Sequence, residues 1–295
     1  MRVLLPILIF IAGSCFGQPY IDVVNIRLEQ FPEQRYKERP DATQQSTWFE
    51  GTILLPFVLK NENTFLLGGH YRKIAFKSTG TEEGSTSLNS IALQSGYEFV
   101  WKEKKWHALT MLLSRMNYDY FEEAKNKFQL GGLVLFKYQM SEKLRLHAGL
   151  YYNREFFGNY FVPLLGLDWK LNDRINVFGN MPATMNIEYR LDSSTYIGFS
   201  YWSIKNTYRI ADPDEKLYVH EGNESLSNSY GKLFITFRLY KRIVLNIEGG
   251  YTYNRFYLLH NNDEKIIRSN ETIYSEVKDG IFFGAGIAYR YRFNR

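Results

Sequence analysis

Apolar residues occupy every second position over long stretches of this chain, and the clearest stretch is the last. Ile281, Phe283, Ala285, Ile287, Tyr289, Tyr291 and Phe293 alternate with Phe282, Gly284, Gly286, Ala288, Arg290 and Arg292. A period of two sends neighbouring side chains to opposite faces of a strand, so one face meets apolar surroundings while the other carries arginine. Such a strand fits either a soluble core with a wet outer face or a membrane wall around a wet lumen.

The pattern recurs. It predicts strands near 20–35, 46–60, 64–78, 87–101, 105–118, 126–140, 143–153, 158–171, 174–180, 183–191, 194–208, 227–240, 243–258 and 278–293. The connections "NENT" (61–64), "KEKK" (102–105), "SEK" (141–143), "ND" (172–173), "DSS" (192–194) and "KR" (241–242) are short and polar. Between them come the longer stretches 37–45, 79–86, 119–125, 209–226 and 259–277, with shorter ones at 154–157 and 181–182. Short turns on one rim and long loops on the other are the habit of transmembrane barrels, with the long loops outside the cell. Many of the segments exceed the ~5–6 residues of a soluble strand and reach the ~9–11 that a tilted strand needs to cross a bilayer.

Both termini fall on the short-turn rim, which requires an even strand number. The expected fold is all-β, a transmembrane antiparallel up-and-down β-barrel of about fourteen strands, with twelve as the fallback if 174–180 and 183–191 merge or leave the wall. Trp101, Trp106, Tyr138, Trp169, Tyr189 and Tyr291 all lie beside a short turn or the C-terminus, the placement of an interfacial girdle.

Residues 1–17, "MRVLLPILIFIAGSCFG", carry one positive residue, an apolar run and small residues before Gln18, the pattern of an export signal. The expected mature domain is 18–295. Cys15 is the sole cysteine and lies in the leader, leaving the mature chain no disulfide or thiolate metal site. A formal charge of +5 on 295 residues gives no case for nucleic-acid binding. The mean hydropathy of −0.34 excludes a helical membrane protein but not a barrel, half of whose strand residues are polar.

The C-terminal strand is similar to the signal read by the barrel-assembly machinery, through Gly286, Tyr289, Tyr291 and Phe293. It departs from that signal at Gly284, where a larger polar residue is usual, and in the Asn294 and Arg295 that follow. With the leader, the repeated hairpins and "DWKLNDRINVFGNMPATMNIEYRLDSSTYIGFSY" (168–201), the chain resembles outer-membrane β-barrel families known only as domains of unknown function. The resemblance covers the whole mature chain and implies a cell outer membrane location, contact with outer-membrane lipids and use of the assembly machinery. It carries over no activity and no site residues.

Extending each strand's alternation puts Glu50, His70, Arg72, Glu98, Arg115, Lys137, Arg145, His147, Asp168, Lys170, Glu188, Arg190, Arg238, Glu248, Arg290 and Arg292 on the polar face. Glu98, Lys137, Arg145, Asp168, Glu188, Arg190, Arg238, Glu248, Arg290 and Arg292, with Lys170, lie toward the short turns. They form the candidate lumen constriction. Such a set is either a salt-bridge filling or a selectivity filter for a charged or polar solute.

No nucleophile stands at a defined spacing from any of the five histidines, His70, His107, His147, His220 and His260. "HEGNE" (220–224) and "HNNDE" (260–264) read as solvated loops, as loop His/Asp sites, or as oxygen-rich cation sites without calcium-loop spacing. The expected protein is no enzyme and needs no cofactor or metal. Passage of small solutes is the leading function, and a closed barrel acting through its loops the alternative. "MPAT" (181–184), with Gly179, reads as a tight loop, a wall kink or a lateral opening for a hydrophobic solute.

Overall fold

The computed structural model describes residues 19–295 except 102, 121–123, 212–216, 223–226, 262, 264, 268–272, 294 and 295. The proposed leader lies outside the described residues. Fourteen strands form the wall: β1 (Tyr20–Arg35), β2 (Thr43–Val58), β3 (Thr64–Thr79), β4 (Ser85–Trp101), β5 (Trp106–Tyr118), β6 (Phe128–Ser141), β7 (Leu144–Glu155), β8 (Gly158–Lys170), β9 (Ile175–Met181), β10 (Thr184–Arg190), β11 (Thr195–Ile204), β14 (Asn228–Tyr240), β15 (Ile243–Tyr253) and β17 (Ile281–Arg292). Three short strands, β12 (Asn206–Arg209), β13 (Tyr218–Glu221) and β16 (Tyr257–His260), lie off it. Every wall strand pairs antiparallel with its neighbours, and β17 closes on β1 from Tyr20↔Arg292 to Gln30↔Phe283. No unpaired edge remains at the seam, which is why the alternation must persist to the C-terminus.

The wall's outer face is apolar. Ile26, Leu28, Leu93, Leu112, Phe161, Leu165, Leu233 and Ile287 all stand exposed on it, far more contiguous apolar surface than a water-soluble protein tolerates. Trp101, Tyr138, Trp169 and Tyr289 ring the short-turn side, while Phe128, Tyr71 and Tyr251 ring the other. Phe128 and Tyr138 lie ten residues apart on β6, and at ~3.3 Å per residue and a ~40° tilt they are about 25 Å apart in height, the height of the apolar band of such barrels. The protein is an integral outer-membrane β-barrel.

Two long segments depart from expectation. The strands read as 194–208 and 243–258 end in the wall at Ile204 and Tyr253. After Tyr253, Asn254 takes a left-handed φ of 58°, a conformation Asn tolerates better than most residues. The chain then turns into the barrel mouth, where β16 pairs with β13 and β13 with β12. β12 crosses the mouth far enough for Arg209 to bridge to Tyr118 at the top of β5. The ends of these two overlong strands and described residues of the segments read as exterior loops, 209–226 and 259–277, therefore build a plug: β12, β13 and β16 are buried throughout except Asn206.

A second irregularity is the low hairpin β9–β10, whose strands have 7 residues each. It joins through a turn at 182–183 that includes a cis Met181–Pro182 bond. Gly179 has a φ of 149°, and a Cβ there would sit 2.4 Å from the Thr184 carbonyl oxygen, so only glycine lets the two strands approach this closely.

Candidate functional site

The lumen is the candidate site, and buried side chains narrow it at every level, leaving a cavity of about 150 Å³ beside Arg27, Lys232, Glu248 and Arg290. At the periplasmic end, Glu98 receives Lys137 at 3.1 Å and lies 3.3 Å from His107. Asp168 lies 2.9 Å from His147 Nε2, whose Nδ1 meets the Asn180 side chain at 3.0 Å. Arg292 donates to Glu188 from Nη1 and Nη2, at 2.9 and 2.6 Å, and Arg290 donates to Asp22 from Nε and Nη2, at 2.7 and 2.9 Å. The Tyr20 ring packs against both arginines. Arg145 donates to Gln139 at 2.7 Å, and Arg238, exposed at the rim, donates to the Ser193 carbonyl. Exposed Arg190 joins Lys170 and Arg292 around a cavity of about 340 Å³, a vestibule on the periplasmic side.

At mid-height one half of the lumen is charged. Lys232 bridges Glu248 at 2.7 Å and Glu29 at 3.6 Å, while Arg27 reaches Glu29, Glu50 and Glu248 at 3.5, 3.2 and 3.9 Å. Gly284 makes this possible: a Cβ there would fall 2.9 Å from both Glu248 Oε1 and Glu29 Cγ. The departure from the usual assembly signal thus makes room for two carboxylates. The other half is apolar, with Leu66, Leu109, Leu135 and Leu164 buried together and Leu54, Met111, Leu133, Tyr151 and Val162 packed against them.

The extracellular end holds the plug. Glu221 accepts from Arg72 at 2.7 and 3.2 Å, from Asn206 at 3.2 Å and from the hydroxyls of Tyr208 and Tyr257 at 3.2 and 3.5 Å. Glu155, on top of β7, accepts from Arg115, Gln129, Asn153 and both the amide and hydroxyl of Thr207. On the opposite side, plug residues Tyr208, Val219, Tyr257 and Leu259 share one apolar core with wall residues Phe31, Trp48, Ile74, Phe76 and Phe282. His220 stacks near Phe157 and lies 5.6 Å from the His260 ring. Burial, with Lys205 and His260 nearby, lowers its pKa from 6.5 to about 3, so it is neutral at ordinary pH.

The candidate constriction residues thus meet as local couples rather than as one ring. Sequence reasoning did not include Asp22, Arg27, Glu29 and Lys232, and it read Glu221 only as part of a loop cluster, solvated or cation-binding, rather than as a lumen partner of Arg72. The register slips between Asp22 and Val24, so Val23 and Val24 hide the change of phase; Ile26 and Leu28 still mark Arg27 and Glu29 as inward. Lys232 shares its phase with Arg238 but is separated from it by inward Phe234. Glu221 carries no local signal, since it belongs to a segment that reads as a loop. His220 and Glu221 are not solvated, and no cluster of three His, Cys, Asp or Glu suited to a metal occurs among the described residues. Glu224 and Glu264 lie outside them.

Residues 24–290 match the model of a family described as a domain of unknown function (DUF6268). The structure is similar to an outer-membrane channel (COG4313) from Pseudomonas putida F1, with a TM-score of 0.52 and 8% identity over 95% of this chain and 98% of that one. It also aligns with the P. putida toluene transporter TodX, with a TM-score of 0.44 and 10% identity over 96% and 94% of the two chains. No curated protein matches the sequence.

Proposed function

The chain belongs to the DUF6268 family, and we propose that it is a gated channel for the uptake of small solutes, shut at rest by its own plug. The observation that carries this reading is burial inside the barrel at every level. Trp48 and Arg72 at the top, Glu29 and Leu135 in the middle, and Glu98 and Glu188 at the bottom are each at most 3% exposed. A pore open to water would leave such lumen side chains wet. The plug is secondary structure laid into a formed barrel rather than part of the wall, so its displacement opens the mouth without breaking the sheet.

The reading is tested by planar-bilayer recording of the refolded protein. The wild type is expected to insert silently with rare brief openings, and a variant lacking plug latches to give sustained steps. Large steady steps from the wild type would mean an open diffusion pore. Silence from every latch variant would favour a permanently closed barrel acting through its outer surface.

A further inference from the structure

The low β9–β10 hairpin leaves the wall incomplete. The β8–β9 ladder stops at Leu165↔Met181 and the β10–β11 ladder at Thr184↔Trp202. Above that level, Gly158–Leu164 of β8 have no ladder partner on the side away from β7. Two strands are missing there, a nominal width of about 14 Å at ~4.8 Å per strand spacing, narrowed where the Tyr160 hydroxyl meets Ser227 above the end of β11. The turn lies six residues above Tyr189 of the lower girdle, about 15 Å up the band, so the gap starts near mid-membrane and opens on the outer leaflet. Its upper end is closed by Lys205, whose ammonium lies 5.9 and 5.3 Å from the Phe157 and Tyr160 rings. The result is a window rather than an open slot.

An open sheet edge does not face hydrocarbon unless it is covered by protein or lines a cavity. Directly behind this edge lie Val162 and Leu164, part of the apolar half of the lumen. A charged solute would meet leucine there, whereas an apolar solute dissolved in the outer leaflet meets a continuous apolar surface from lipid to lumen. Resting on the channel reading above, we infer that the window is a lateral portal, through which small uncharged apolar molecules pass from the outer leaflet to the lumen beneath the plug. The β9–β10 hairpin is its sill, and the vestibule lined by Lys170, Asp173, Arg190 and Arg292 is the exit on the periplasmic side.

The test uses outer-membrane vesicles from cells producing the full chain, with a cysteine placed at Val162. A membrane-partitioned maleimide is expected to modify Val162→Cys at least tenfold faster than a charged, water-soluble thiol reagent, and Asn159→Cys to show the opposite preference. The bulky adduct at 162 is expected to cut naphthalene uptake at least tenfold, whereas an adduct at Ile187→Cys, on the lipid face below the sill, leaves it unchanged. Equal or reversed reagent preference at 162, or naphthalene uptake unaffected by the adduct, overturns the portal. Vesicles carrying a plug-latch variant such as Glu221→Gln that still take up neither naphthalene nor glucose would sink the channel reading itself, whatever the labelling at 162 shows.

Discussion

Replacing Glu221 by Gln tests the plug where it is held most tightly. Its carboxylate is fully buried, receives both terminal nitrogens of Arg72, and is approached by Asn206, Tyr208 and Tyr257. The amide keeps the shape but removes the charge, leaving the Arg72 guanidinium buried against the Trp48 ring at 4.3 Å. Breaking a buried pair from one side costs about 3–5 kcal/mol. The wall does not depend on this contact, so the cost falls on the plugged state and shifts the plugged-to-open ratio by roughly a hundredfold to several thousandfold. Sustained single-channel steps are expected from Glu221→Gln, with the heat-modifiable gel migration of the barrel retained. The double variant Arg72→Met/Glu221→Leu removes both charges and is expected to return most of the way to silence. The reasoning is refuted if Glu221→Gln stays as silent as the wild type, or if the double variant conducts more than the single one.

Acid should loosen the same plug through His220. Its folded pKa of about 3 lies below the ordinary 6.5, so the stability it contributes is complete above pH 6.5 and is lost as pH falls from there toward 3. Protease cutting within the plug is expected to rise between pH 6 and 4 and to lose that dependence in His220→Phe. On the lipid face, Val134→Arg near mid-height is expected to cost about 2–4 kcal/mol in urea titrations of folding into vesicles, while Val134→Leu leaves the midpoint nearly unchanged. At the sill, Gly179→Ala forces a Cβ to 2.4 Å from the Thr184 carbonyl oxygen and is expected to lower the folded fraction measurably in the same titration, by more than the ~1 kcal/mol of an average substitution.

The wall was legible because its two faces meet media of opposite polarity, and a period of two records that difference at every strand. Arg290 and Arg292 opposite Ile287 and Tyr289 need no partner to be read as inward. The plug was not legible, for a physical reason. β12, β13 and β16 have 4 residues each and are buried on all sides, so Thr207, His220 and Glu221 sit among apolar neighbours without alternation. Their polar groups are satisfied by residues distant in sequence, such as Arg72 and Glu155, and a segment whose partners are remote looks like any polar loop. Of the candidate constriction residues, Glu98, Lys137, Arg145, Asp168, Glu188, Glu248 and Arg290 are buried while Arg190 and Arg238 are exposed, and which acid pairs with which base depends on strand register. The bulge near Val23 and the glycine at 284 set that register and spacing.

The plug meets the wall through two unlike surfaces, and the difference fixes how it can move. Toward β1–β3 and β17 it packs Tyr208, Val219, Tyr257 and Leu259 against Phe31, Trp48, Ile74, Phe76 and Phe282 and adds the Arg72–Glu221 pair; each apolar Å² separated there costs about 25 cal/mol. Toward β5–β7 it is joined by hydrogen bonds from Asn117, Gln129 and Arg115 and to Glu155. Water can replace most of these, at about 0.5–1.5 kcal/mol net for a neutral one and about 1.5–3 kcal/mol for those that involve Arg115 or Glu155. On the gated-channel reading proposed above, the plug therefore pivots on the side of β1–β3 and parts from the wall first along β5–β7. That is the side on which Thr207 accepts the Phe156 amide at 3.0 Å and Lys205 caps the window beside β8. Loosening this contact widens the mouth and the window together, so a single motion would serve both the gate and the lateral portal.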